Sequence, residues 1–113
     1  MPIEVSIDNF EKEVVSSSNP VLIDFWGPQC KPCLALMPYV ESLDKHYPGI
    51  KIVKVDASRN RRLCLRLKVL SLPTYLFYNG GKEVTRLVGE VTRESLINRI
   101  EKLLESRKRN TFS

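Results

Sequence analysis

Two apolar patterns alternate along the chain. Residues 21–26 (Val21-Leu22-Ile23-Asp24-Phe25-Trp26) form a nearly continuous apolar run with Asp24 as its interruption, as a central strand covered on both faces requires. Beyond Cys33, apolar positions fall at Leu36, Val40, Leu43 and Tyr47. Steps of four, three and four place them on one face of a helix. Pro38 lies inside that helix and is expected to kink it, and Pro48-Gly49 ends it.

The same patterns recur on either side. Residues 3–7 predict a short first strand. Asp8 followed by Glu11 reads as a capping box for a helix with Phe10 and Val14 on its apolar face. Residues 16–20, Ser-Ser-Ser-Asn-Pro, form a loop. Residues 50–55 predict a third strand, and residues 59–68 a short helix facing inward through Leu63, Leu67 and Cys64. Residues 74–78 and 83–88, joined by Asn79-Gly80-Gly81-Lys82, predict a β-hairpin. Thr92 caps a last helix with Leu96, Ile97, Ile100, Leu103 and Leu104 on its inner side. This order predicts a small α/β domain over residues 1–106, its first strands parallel and its last two antiparallel. Residues 107–113 read as a short, basic, flexible tail.

Composition narrows the class. A chain of 113 residues suits one domain with one real core, and 42% hydrophobic with 27% charged residues is ordinary for a globular protein. No apolar run approaches the about 20 residues of a membrane helix, and the opening Met1-Pro2-Ile3-Glu4 carries no secretory pattern. A cytoplasmic protein without a membrane partner is expected. The net charge of +5 favours acidic partners. Arg59, Arg61, Arg62 and Arg107-Lys108-Arg109 lack interleaved aromatics and a nucleic-acid motif. A solvated helix face and tail are the expectation, with no nucleic-acid partner and with steering toward an acidic protein as the weaker functional version.

Three cysteines do not make the even, dense set of a disulfide-stapled secreted domain. Cys30 and Cys33 form a C-x-x-C pair between the apolar strand and the helix. A helix N-terminus offers unpaired N–H groups and partial positive charge that favour a thiolate. An exposed, activated cysteine with a shielded one a turn away is suited to thiol–disulfide exchange. The alternative is a redox-inert or metal-holding binding module. Cys30, Cys33, Cys64 and His46 total four ligands, but His46 lies about 20 Å along the same predicted helix from Cys33, so no metal site is expected. Asp24 inside an apolar strand calls for a raised pKa and a task. The task expected is to take the Cys33 proton, the alternative a bond to neighbouring backbone or to Lys54. Pro73, in Ser71-Leu72-Pro73-Thr74, reads as a turn proline with a cis bond as the other possibility.

Asp24-Phe25-Trp26, Cys30-x-Pro32-Cys33, Pro38, Leu72-Pro73-Thr74, the Gly81 turn and Gly89 together resemble the thioredoxin family. The match is in order, at near-family spacing, and spans essentially the whole chain. The resemblance implies a central five-stranded mixed sheet flanked by four helices, and a monomer that reduces protein disulfides without a bound cofactor. Its implied partners are disulfide-containing proteins and a separate reductase. By resemblance Cys30 attacks, Cys33 resolves, Asp24 accepts and donates the proton, and Pro73 is the cis-proline facing the disulfide. Gln29, Lys31, Pro32, Leu72, Val88 and Gly89 would line the substrate groove.

Three positions depart from the pattern. Gln29 stands where the family usually has Trp, which removes a flat apolar contact surface. Lys31 stands where it usually has Gly, adding a positive charge that stabilises the reduced form and moves the potential toward oxidising. Where the family often sets a Lys or Glu beside the buried aspartate, the sequence reads as Ile52, so Asp24 is expected to be more strongly protonated than usual.

Overall fold

The apolar run at residues 21–26 is the central strand. The computed structural model describes residues 2–111, and within them five strands form one sheet in the order β1-β3-β2-β4-β5. These are β1 (Ile3–Glu4), β2 (Val21–Trp26), β3 (Lys51–Asp56), β4 (Thr74–Asn79) and β5 (Lys82–Val88). β3 pairs parallel with both β1 and β2, whereas β4 pairs antiparallel with β2 and β5. The helices are a π-helical turn at Glu11–Val15, α1 (Lys31–His46), α2 (Arg61–Arg66) and α3 (Arg93–Thr111). The mixed five-stranded sheet and four helices match the expectation.

Side-chain alternation splits the interior into two cores. From β2, Ile23 and Phe25 face Val53, Val55 and Leu76 under the π-turn and α2, where Val14, Leu63 and Cys64 are buried. Leu22 faces Ile52, Tyr75 and Phe77 on the other side, beneath Val40 and Leu43 of α1 and Leu96 and Ile100 of α3. Both faces of β2 are therefore covered, which is why its sequence hardly alternates.

Some boundaries differ from expectation. β1 stops at Glu4 because the chain turns at Ser6, whose N–H donates to Asn9 Oδ1 at 2.7 Å. The Asp8–Glu11 capping box does not form. Asp8 N–H donates to Ser6 Oγ at 3.2 Å, and the helix follows Phe10 as a π-turn without a side-chain cap. Such local side-chain bonds compete with a helical start. Ahead of α2, residues 57–59 form a 3-10 turn, with the Asp56 carboxylate accepting from Ser58 N–H at 3.0 Å. α1 runs unbroken through an exposed Pro38. α3 continues through Arg107, whose Nη1 donates to Asn79 Oδ1 at 2.9 Å, to Thr111. Phe112 and Ser113 lie outside the described residues.

The β4–β5 turn passes through Gly80 and Gly81 at φ of 63° and 81°, the left-handed backbone that such hairpins require. Further along β5, Arg86 ion-pairs with Glu83 and reaches across to α2, donating to the carbonyls of Leu67 (2.9 Å) and Lys68 (3.1 Å). No helix among the described residues is long and apolar enough to cross a membrane.

Candidate active site

β2 delivers its chain end into α1 through Gly27-Pro28-Gln29, and Cys30 is the N-cap of α1. The helix starts here for local reasons. Cys30 is extended (φ −92°, ψ 97°), its N–H donates to Gly27 O at 3.0 Å, and Pro32 sits in the first turn, where no backbone N–H is needed. Cys30 Sγ accepts from the Cys33 N–H at 3.2 Å. Cys30 and Cys33 are joined as a disulfide, with Cα atoms 5.3 Å apart. Cys30 is half-buried and Cys33 fully buried, so a partner sulfur has access to Cys30 alone.

Cys30 opens onto a groove walled by Gly27, Pro28 and Gln29 on one side and Ala57, Ser58 and Leu72 on the other. Gly27 lets Leu72 pack close, since a Cβ at that position would lie 3.1 Å from Leu72 Cδ1 and press it aside by a few tenths of an ångström. The Leu72–Pro73 peptide bond is cis, which the turn reading of Pro73 left open. Pro73 is buried, and its carbonyl accepts from Gly89 N–H at 3.2 Å, which brings the expected Pro73 and Gly89 together. Val88 is 51% exposed opposite Thr74. Lys31 and Pro32 are exposed in the first turn of α1. Lys31, Pro32, Val88 and Gly89 do not wall the groove that Gln29 and Leu72 share. Ala57 and Ser58, which do, escaped the sequence reading. They follow Asp56, the β3 partner of Trp26, so only the strand register places them beside Cys30.

Asp24 is fully buried on the α1 face of β2, and neither of its carboxylate oxygens has a hydrogen-bond partner among the described residues. The alternative of a bond to backbone or to Lys54 is not what the structure holds. Burial pushes the carboxyl from its ordinary 3.8 up to about 7, partly offset by Lys54 and reinforced by Glu41 and Glu4. The assignment of Ile52 as its β3 neighbour is corrected here. Asp24 pairs with Lys54, and Ile52 with Leu22. Lys54 is drawn outward instead. Its Nζ is 2.8 Å from Glu41 Oε1 and 3.9 Å from Glu4 Oε1, and lies 6.0 Å from the Trp26 ring centre. On β4 the facing residue is Tyr75, a buried phenol pushed upward by burial and by Asp24. The Glu41 and Glu4 surround of Lys54 had no sequence signal, since two separate elements, α1 and β1, supply it.

Among the described residues, no three His, Cys, Asp or Glu side chains gather where one ion would reach them. His46 ends α1, a helix of 16 residues that Cys30 begins. Cys64 is a free, buried cysteine, and burial pushes its thiol up.

Comparison with known proteins agrees with this geometry. The family model for thioredoxin matches residues 1–102. Thioredoxin 1 of Nostoc sp. is 37% identical over 102 residues, covering 89% of this chain and 95% of its own. A thioredoxin of Acetoanaerobium sticklandii is 40% identical over 88 residues, covering 77% and 84%. The chloroplastic M-type thioredoxin of Chlamydomonas reinhardtii is 33% identical, covering 88% and 72%. With a paired Cys30–Cys33 at the head of α1 and relatives that share most of its length, the chain is a thiol–disulfide oxidoreductase and belongs to the thioredoxin family.

Proposed function

We propose that the chain reduces protein disulfides through Cys30 and Cys33, in the cytoplasm and as a monomer, carrying electrons from a separate reductase. In the reduced form the Cys30 thiolate attacks one sulfur of a substrate disulfide. The substrate's other sulfur leaves as a thiolate and takes up a proton. Cys33 then gives up its proton and attacks Cys30 Sγ, releasing the second substrate thiolate. Two protein thiols have become one disulfide, and one substrate disulfide has become two thiols. A dithiol reductase resets the pair. These steps need no bound cofactor.

Asp24 is the proposed acceptor of the Cys33 proton. A carboxyl with a pKa of about 7 is near half-ionised at neutral pH, the condition under which one group both takes and returns a proton. Its burial on the face of β2 that α1 covers, with Cys33 buried in the first turn of α1, supports a direct or water-carried transfer. Pro73 would present the backbone against which a substrate strand lies, with Gln29 and Leu72 contacting that strand and Lys31, Pro32, Val88 and Gly89 at its margins.

The observation that carries the reading is the Cys30–Cys33 bond, with Cys30 accessible and Cys33 buried. Dithiothreitol-coupled reduction of insulin tests it. Turnover above background is expected for the parent chain and none for Cys30→Ser; equal rates for the two would refute the assignment.

A further inference from the structure

The arginines of α2 were expected to be a solvated face. That account covers the charges but not what lies among them. Beside the Cys30 groove is a second hollow, walled by Arg61, Leu65 and Leu70, and the two share Ala57 and Leu72. Leu65 is 64% and Leu70 80% exposed, more than any other large apolar side chain among the described residues. Apolar surface left open beside a reactive groove marks contact with a partner rather than folding. Between Ala57 and Pro73 the charged residues are Arg59, Arg61, Arg62, Arg66 and Lys68, with no acid among them. Only Arg59 has an ion pair among the described residues, with Asp56 at 3.8 Å. The strip therefore carries a net positive charge, which an acidic partner would complement.

We propose that this strip is a docking surface for an acidic segment of the substrate protein, carrying apolar side chains and lying beside the disulfide that Cys30 attacks. The proposal rests on the reductase reading above and adds the chemistry of the substrate it favours. Leucines and arginines divide the work. Leu65, Leu70 and Leu72 offer apolar contact continuous with the groove, while Arg61, Arg62 and Arg66 attract acidic residues and speed encounter. Redox chemistry stays with Cys30 and Cys33; Cys64, buried at the edge of the hollow, takes no part.

The test uses the full, pre-reduced chain and two synthetic peptides, each closed by one disulfide and bearing two leucines, one flanked by Glu and the other by Lys. Single-turnover reduction is followed by acid quench and chromatography at about 20 mM and about 300 mM salt. The acidic peptide should react about tenfold faster at low salt and about twofold faster at high salt. The combined Arg61→Glu, Arg62→Glu and Arg66→Glu variant should remove or invert that preference. Leu65→Ser with Leu70→Ser should slow the acidic peptide about threefold. Bis(2-hydroxyethyl) disulfide, uncharged and too small to span the strip, reports the exchange alone. Equal peptide rates, or a preference that survives the arginine reversals, would overturn the docking surface while the small disulfide still reacts. A parent chain that reduces neither peptide nor the small disulfide would instead remove the reductase reading itself. Saturation of the strip by an oligonucleotide, or a dimer dissolved by the leucine changes, would assign it to another occupant and overturn the proposal.

Discussion

The substitution Asp24→Asn should change how the stability of this protein depends on pH. The folded chain holds the Asp24 proton up to about pH 7, whereas an unfolded aspartate releases it near its ordinary 3.8. Between those values the native state binds more protons, so each rise in pH favours unfolding. The stability is fully present below the unfolded value and is lost as pH rises through the folded one. At about 1.4 kcal/mol per pH unit, the loss reaches about 4 kcal/mol by pH 8. The amide of the variant has no proton to release in this range and so lacks the slope. Other groups, including Glu13 whose carboxyl Lys51 holds below its ordinary value, are common to both proteins and cancel in the difference. Urea unfolding followed by Trp26 fluorescence, on the oxidised forms from pH 4 to 8, measures it. With a urea slope of about 2 kcal/mol/M, the variant's midpoint should gain on the parent's by about 2 M across that range. A gap that stays constant with pH would mean that buried Asp24 titrates like an exposed aspartate. A gap that closes would reverse the sign and refute the burial argument.

Glu41→Gln removes the partner 2.8 Å from Lys54 and a negative charge that raises Asp24, so the Asp24 midpoint should fall below about 7; carboxyl carbon NMR titration reads it, and an unmoved midpoint refutes the influence of Glu41 on Asp24. Cys33→Ser should stall exchange after the first step, and mass spectrometry should find the substrate bound to Cys30; no adduct would deny Cys33 its resolving role. Gly80→Ala, at φ 63° with open space around it, should cost about 1–2 kcal/mol. Gly81→Ala should cost more, since its Cβ would lie 3.0 Å from Val15 O; equal unfolding midpoints for the two would contradict the packing.

Much of this site is legible because the chemistry sits where patterns break. Asp24 stands out in an apolar run, and Cys30 and Cys33 stand at the junction of two periodicities. What the chain hides is register. Ile52 and Lys54 lie on the same face of β3, so a slip of two residues leaves every side chain pointing correctly and only the neighbour wrong. The same blindness hid Ala57 and Ser58, which reach the groove only because Trp26 pairs with Asp56. The start of the chain misled for a different reason. Asp8 and Glu11 have capping-box spacing, but Asn9 also binds the Glu4 carbonyl, at 3.3 Å, and holds the backbone in a turn. Local competition of that kind leaves no trace in a hydrophobic pattern.

The reach of Arg86 across to α2 ties together parts that the chain order keeps apart. Residues 67–73 are anchored to the β5 side at both ends, by Arg86 on the Leu67 and Lys68 carbonyls and by the Gly89 N–H on Pro73. This loop carries Leu70 and Leu72. It cannot swing open by local fraying alone, because opening releases the guanidinium and the Gly89 bond together. In amide hydrogen exchange, the end of α2 and the outer hairpin should therefore behave as one cooperative unit, distinct from α1. The placement of Leu72 at the groove is therefore tied to β5 rather than to the helix that bears the cysteines.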